Sequence, residues 1–366
     1  MNCYIKINST NKAKQDADQL MAGMGFCNIA VGGVGSRKVE TFLRKVLTLA
    51  ASLFRLRKGD VLLMQYPYKK FYAAQCRMAH LRGVRVVTLI HDLGTFRRRK
   101  LTAEQEMKRL AHSDYIIAHN DRMRSWLEER TAPNSRNGKG RIGTLGIFDY
   151  LSEVSLAKDS DEPMASNPKA PLSSPSKVEG GGDRLGAYVN AQFKNIIYAG
   201  GLGERKNAFL YDASEELEGC TLDLYGSGDL DYSRFGKNIR HHGRIGSDEF
   251  IRSVKDSWGL VWDGDSCDGC GGIWGEYLKL NNPHKCSFYL RAGLPVIVWS
   301  QSAMADFVVS NKVGFAVDRL CDIPEAVKNF SETAYKLVMA NVAEMQHKLN
   351  EGFFFKKAVA EALQAI

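Results

Sequence analysis

No apolar run in the 366 residues approaches the roughly 20 that a membrane-spanning helix needs. The opening Met1-Asn2-Cys3-Tyr4-Ile5-Lys6-Ile7 lacks the basic-then-apolar layout of a secretory signal and reads as a strand. Both absences point to a cytosolic chain. The eight cysteines are scattered and, in that setting, are expected as reduced thiols. Cys267 and Cys270 have CxxC spacing, but no second close pair exists to complete a zinc site. Their Gly-rich surroundings are not the strand-to-helix junction of a redox pair. Incidental thiols, and a site without a metal, are the expectation. There is no P-loop, no dinucleotide fingerprint, and no recognition helix or interleaved aromatics for nucleic acid.

What is there is an ordinary globular composition, 44% apolar and 25% charged, with a net charge of +9. The surplus favours an anionic partner. Basic residues cluster in Arg55-Leu56-Arg57-Lys58 and Arg97-Arg98-Arg99-Lys100. A solvated surface is the plain reading; peripheral contact with the inner membrane surface, where lipid-linked acceptors lie, is the functional one.

Short buried strands alternate with amphipathic helices through residues 1–152 and again through 188–345, which predicts two doubly wound α/β domains with parallel sheets. Lys38–Arg55 carries Phe42, Val46, Leu49, Leu53 and Phe54 as a helical stripe. Ser, Pro, Gly, Lys and Asp dominate the stretch between the halves, read as a flexible linker over 153–187. The tail from Ser331 is largely helical. Two such domains leave a crevice at the carboxyl ends of their strands, where ligands of open α/β sheets bind.

Four constellations lie near that crevice. Asn282-Pro283-His284-Lys285-Cys286-Ser287 opens a helix that stops at Gly293, and a helix N-terminus carrying Lys and His suits a diphosphate. The loop Gly200-Gly201-Leu202-Gly203-Glu204-Arg205-Lys206 lets backbone approach a phosphate, with Arg205 able to fork two of its oxygens. His91-Asp92 ends a strand of the first domain, where Asp92 either takes a proton from a hydroxyl or caps the next helix. Asp263-Gly264-Asp265 has the spacing of a divalent-metal pair; two nearby basic groups favour a metal-independent site, with this loop lining a sugar pocket at most.

On these blocks, together with Val61–Pro67, Val86–Leu93, Gly146-Ile147-Phe148-Asp149, Trp258–Asp263 and Gly352–Ile366, the chain resembles bacterial glycosyltransferases of the GT-B fold, in the group of Gtf3-type adhesin glucosyltransferases and galactofuranosyltransferase-like proteins. The resemblance implies two Rossmann-like domains and transfer of a hexose from a UDP-sugar to a glycan, glycolipid or glycoprotein. UDP-galactofuranose is an alternative donor, and a non-catalytic partner subunit an alternative of another class. No cofactor beyond the donor is implied. Arg205 and Lys285 would contact the diphosphate, with Gly201 beside them. Arg244 falls near a nucleotide-contacting Tyr of the group, and His284 replaces another aromatic. Members often hold the ribose with a Glu before the Gly-x-Pro-Val turn; residues 284–292 contain no acid, which leaves Asn282, His284 and Ser287 for that duty. The resemblance also implies that the tail, 346–366, packs back on the first domain, and that self-association occurs.

Overall fold

The computed structural model describes residues 1–7, 9–32, 38–97, 101–132, 135, 140–155 and 194–366. Of the expected linker, residues 156–187 lie outside the described residues, as do residues 98–100 of the second basic cluster.

The expected doubly wound architecture is present in both halves. The first sheet contains β1 (Asn2–Tyr4), β2 (Cys27–Asn28), β3 (Val61–Tyr66), β4 (Arg85–Ile90), β5 (Tyr115–Ala118) and β6 (Ile142–Thr144). Its order is β2-β1-β3-β4-β5-β6, every pairing parallel. Helices α1 (Lys12–Gly23), α2 (Lys38–Arg55), α3 (Tyr72–Leu81), α4 (Gly94–Arg97), α5 (Ala103–Leu110) and α6 (Asp121–Glu128) connect the strands. Caps delimit several of them: the side chains of Asn11, Thr102 and Asn120 accept from the first-turn amides of α1, α5 and α6.

The second sheet contains β7 (Asn195–Gly201), β8 (Thr221–Ser227), β9 (Ile239–His241), β10 (Trp258–Val261), β11 (Val296–Trp299) and β12 (Gly314–Val317). Its order is β12-β11-β10-β7-β8-β9, again wholly parallel. Its helices are α7 (Glu204–Asn207), α8 (Ala213–Glu216), α9 (Ser247–Ser253), α10 (Gly272–Leu278), α11 (His284–Arg291), α12 (Ala305–Ser310) and α13 (Ile323–Lys328). The order of strands reverses between β1 and β3 in the first sheet and between β7 and β10 in the second. These switch points open a crevice beyond the strand ends.

Each sheet buries apolar side chains on both faces, as covered parallel sheets must. Cys267 and Cys270 belong to the second sheet's core; burial pushes the Cys267 thiol up to about 12 and Cys270 higher still, so both are inert packing.

The tail forms α14 (Glu332–Glu351) and α15 (Phe353–Ala365). Gly352 separates them at φ 73°, where a Cβ would lie 2.1 Å from Leu20 Cδ2. That turn sends α15 back onto the first sheet, where Phe355, Ala358, Val359 and Ala362 join its core. Asp149 receives the Phe354 and Phe355 amides at the start of α15, at 3.2 and 2.7 Å. Among the described residues, no helix is long and apolar enough to cross a membrane.

Local corrections are small. Pro283 is the N-cap of α11 rather than its first helical residue. Residues 204–216 form short helical turns rather than one continuous helix.

Candidate active site

The geometry of the site begins with Tyr289. Its hydroxyl receives the Ala199 amide at 2.6 Å and ties α11 to the end of β7. Lys285 is four residues earlier, on the same helix face. It therefore lies over Gly200, which adopts φ 138°; a Cβ added there would be 3.3 Å from Lys285 Cε. The Lys285 ammonium sits 3.5 Å from the centroid of the Tyr198 ring and 3.0 Å from Asp263 Oδ1.

Asp263 follows β10 and is 5% exposed. Its other oxygen pairs with Lys206 Nζ at 3.0 Å. The Tyr198 hydroxyl donates to Asp263 Oδ1 at 3.0 Å and in turn receives Asn207 Nδ2. The Gly264 amide donates to Lys206 O at 2.6 Å, locking the β10 loop to α7. One carboxylate thus holds two ammoniums at the switch point of the second sheet. Burial pushes the Asp263 carboxyl up, but Lys206 and Lys285 outweigh it and hold it below its usual value. Burial, with repulsion from Lys206, brings Lys285 down to about 7 against the pull of Asp263.

These groups line a cavity of about 280 Å³ between the two sheets, with Gly200, Gly201, Trp274, His284, His91 and Asp92. Lys206 also lies 5.4 Å from the Trp274 ring centroid. Among the described residues, no group of three or more His, Cys, Asp or Glu is suited to a metal ion. Asp263 faces the lysines, while Asp265 is exposed beside the Gly271–Gly272 turn.

Three imidazoles surround Phe148. His91 stacks on it at 5.4 Å, His119 meets its edge at 4.9 Å, and His284 approaches at 6.1 Å while stacking on Tyr150 at 5.0 Å. Burial keeps all three neutral, with His119 at about 3, His284 at about 4 and His91 well below its usual value. His119 accepts the Asn282 amide at Nδ1, which leaves Nε2 to donate to Ile90 O at 3.1 Å. His284 Nε2 and both His91 ring nitrogens have no protein partner.

On the first domain's side, Asp92 follows β4 and is half-buried. The amides that it would cap at the start of α4 go to Glu106: Gly94 N to Oε1 at 3.0 Å and Thr95 N to Oε2 at 2.7 Å. Glu106 thus holds the start of α4. Asp92 and Asn11 line both the 280 Å³ cavity and a second cavity of about 420 Å³ in the first domain. Of the two, only Asp92 can take up a proton.

The sequence-predicted residues divide sharply. Lys285, His284, Gly201 and Asp92 meet in the cavity. Asn282 borders it, but its side chain is spent on joining the domains: Nδ2 donates to His119 O at 2.7 Å and Gly146 O at 2.9 Å, and Oδ1 accepts Asn120 Nδ2 at 2.7 Å. Ser287 is fully buried in α11 and does not line the cavity. Arg205 and Arg244 are exposed and also lie outside the lining. Lys206 takes the inward place next to Arg205. Sequence reasoning also missed Trp274 and Tyr277, which sit on the unforeseen helix α10. Tyr277 receives the Leu93 amide at 3.1 Å across the crevice.

Comparison with known proteins shows the family and the fold. The family "Glucosyltransferase 3-like, N-terminal domain" matches residues 3–135, and "Glucosyltransferase 3-like, C-terminal domain" matches residues 196–362. The chain is 30% identical to the Beta-1,6-galactofuranosyltransferase WbbI of Escherichia coli K12, over 98% of this chain and 97% of that protein. It is 34% identical to Glucosyltransferase 3 of Streptococcus gordonii over 35% of this chain and 38% of the relative. Among solved structures it matches Anabaena HepE in complex with UDP and glucose, at a TM-score of 0.54 and 11% identity over 100% of this chain and 92% of that one. Sucrose-phosphate synthase of Thermosynechococcus elongatus matches at 0.52 and 13%, over 99% and 93%. At such identities the structural matches speak for the fold alone.

Proposed function

The chain belongs to the glucosyltransferase 3-like family, and from that membership we propose that it transfers a hexose from a UDP-sugar to a glycan-bearing acceptor. The observation that carries this reading is the convergence of Lys206 and Lys285 on Asp263, at a strand switch point and beside Gly200 and Gly201. With Lys285 protonated, the two ammoniums sharing one carboxylate leave one positive charge in excess, suited to a diphosphate. The amides at the start of α11 add donors.

In the reaction the bond between the anomeric carbon and the β-phosphate oxygen breaks, and negative charge grows on that oxygen. Lys206 and Lys285 line the cavity and would supply its countercharge. Asp92, shared between the two cavities, takes the proton of the attacking acceptor hydroxyl. Neutral His91 and His284 add no competing charge and offer unpartnered ring nitrogens to sugar hydroxyls or the ribose. Arg205, at the start of the same turn, and Arg244, beyond β9, stand outside the cavity for the outer phosphate and the base. Because the lysines supply the countercharge, transfer proceeds without an added divalent ion.

A second reading of the donor is UDP-galactofuranose, favoured by the relative that spans nearly the whole chain. The net charge of +9 supports peripheral contact with an anionic membrane surface, and self-association follows from the family resemblance. The test is calorimetric titration with UDP, followed by transfer assays with UDP-galactofuranose, UDP-galactose and UDP-glucose in EDTA. Saturable UDP binding and EDTA-resistant turnover of one donor are expected. Absence of UDP binding would overturn the reading, and a strict manganese requirement would return Asp263 and Asp265 to a metal role.

A further inference from the structure

Helix α2 is inside out. Its polar side faces the protein: Thr48 and Ser52 are 1% and 0% exposed. Thr48 Oγ1 accepts the Val31 amide at 3.1 Å, and Ser52 Oγ accepts Gln75 Nε2 at 2.6 Å. The opposite side carries Phe42, Leu43, Val46, Leu47, Leu53 and Phe54, all exposed, with Phe54 at 85%. These positions recur at three- and four-residue steps and form one stripe. Among the described residues nothing packs over its middle; Phe42 alone reaches a neighbouring ring, meeting Phe71 edge-on at 5.5 Å. An apolar stripe of this kind marks an interaction surface.

The surroundings identify what covers it. Arg55, Arg57 and Lys58 are exposed at the carboxyl end of α2. Arg82 joins them, its Nε donating to Leu56 O at 3.3 Å, and Arg85 follows, its amide bonded to Asp60 O at 3.2 Å. Asp60 is buried and occupied by the chain's amino terminus at 2.8 Å, so it does not offset them at the surface. Glu40 is the one acid on α2. The rim is therefore cationic. A second copy pairing in parallel would bring the same cations against themselves, and in either direction the contact would be small. An 18-residue helix is about 27 Å long and about 10 Å across, a footprint of roughly 300 Å² against the roughly 800 Å² per partner of a stable protein interface. The chain's own residues 156–193 scatter their large apolar side chains, from Leu156 and Met164 to Tyr188 and Phe193, among Ser, Pro, Gly and Lys, with no run to match the stripe. An anionic bilayer satisfies both the stripe and the rim, as it does for interfacial amphipathic helices.

We infer that the outward face of α2 docks on an anionic lipid bilayer, its apolar stripe seated at the headgroup–acyl boundary and its cationic end on the headgroups. This gives the peripheral contact proposed above its surface, and rests on that contact rather than on the identity of the donor. The opposite face of α2 supplies Thr41, Arg44, Lys45 and Thr48 to the 420 Å³ cavity that Asp92 lines. Docking thus places the acceptor-side cavity beside the membrane surface.

The full chain is sedimented with vesicles of phosphatidylglycerol and phosphatidylcholine in equal parts, and with phosphatidylcholine alone. Binding to the anionic vesicles only is expected, weakened by salt. Leu47→Glu/Phe54→Glu should weaken it at least about ten-fold, with an unchanged melting temperature and unchanged UDP affinity. Arg57→Glu/Lys58→Glu should also weaken it, through the headgroup contribution alone. Binding by the Leu47/Phe54 variant equal to wild type, or no vesicle binding by wild type, overturns the proposal. So does self-association that the same variant abolishes without vesicle binding, since a second copy would then cover the face. Failure to bind UDP would overturn the transferase reading while leaving the vesicle result to stand.

Discussion

The Lys285 ammonium lies 3.0 Å from Asp263 Oδ1, joining the first turn of α11 to the end of β10. These residues are the fixed part of the proposed donor site, because Asp263 also pairs with Lys206 at 3.0 Å. The carboxylate keeps two like charges together before any ligand arrives. Such preorganisation spares the reaction the cost of assembling them.

Lys285→Met should weaken UDP binding about 10- to 100-fold, the range for losing a hydrogen bond to a charged group. Lys206→Ala should have a similar effect, and Arg205→Ala a smaller one, because Lys206 lines the cavity and Arg205 is exposed. Titration calorimetry on the three variants ranks them. A larger loss in Arg205→Ala would place the diphosphate outside the cavity.

UDP binding should depend on pH through Lys285. Its ammonium titrates at about 7 in the free protein, and an arriving diphosphate favours the charged form. Above pH 7 the free protein has lost that proton and must take it up on binding. Affinity should therefore fall by up to about ten-fold per pH unit above 7. Calorimetry at pH 8 in buffers of different ionisation heat should report uptake approaching one proton, lost in Lys285→Met.

Asn282→Ala should leave UDP affinity nearly unchanged and lower the transfer rate. Its side chain holds His119, Gly146 and Asn120 rather than facing a ligand. Removing this buried network should cost about 2–4 kcal/mol of stability, read by denaturant unfolding. A selective loss of UDP affinity at intact stability would restore the ribose role.

Asp92→Asn should lower transfer by about 10²- to 10⁴-fold, the usual contribution of a general base. UDP affinity should not change, because Asp92 belongs to the first domain. Single-turnover transfer and UDP titration on one preparation separate the two effects.

Asp149 predicts a stability effect with a definite sign. Burial raises its carboxyl to about 7 despite the two α15 amides. The folded chain then keeps a proton that the unfolded chain releases, so this contribution is full below the ordinary carboxylate value and is lost as pH rises through 7. Asp149→Asn should flatten the fall in melting temperature between pH 5 and pH 8.

Much of this was legible in the sequence. Alternating short apolar runs and amphipathic segments specify two doubly wound domains, because a parallel strand covered on both faces must be apolar throughout. Pro283 and the basic residues after it mark a helix start, and Lys285 is where that start places a cation. Periodicity, however, says which residues share a face and not what the face meets. Phe42, Val46, Leu53 and Phe54 of α2 form the stripe that their spacing requires, yet the fold turns Thr48 and Ser52 inward in their place. The choice of Lys206 over Arg205 depends on the phase of a single short turn. Asp263 became the anchor of two lysines only because residues 206, 263 and 285 meet at one switch point. Asn282 joins the neighbouring domain and Ser287 is buried for the same reason: a helix start offers several polar side chains, and only packing decides which of them bind the neighbouring domain, which are buried, and which remain in the crevice.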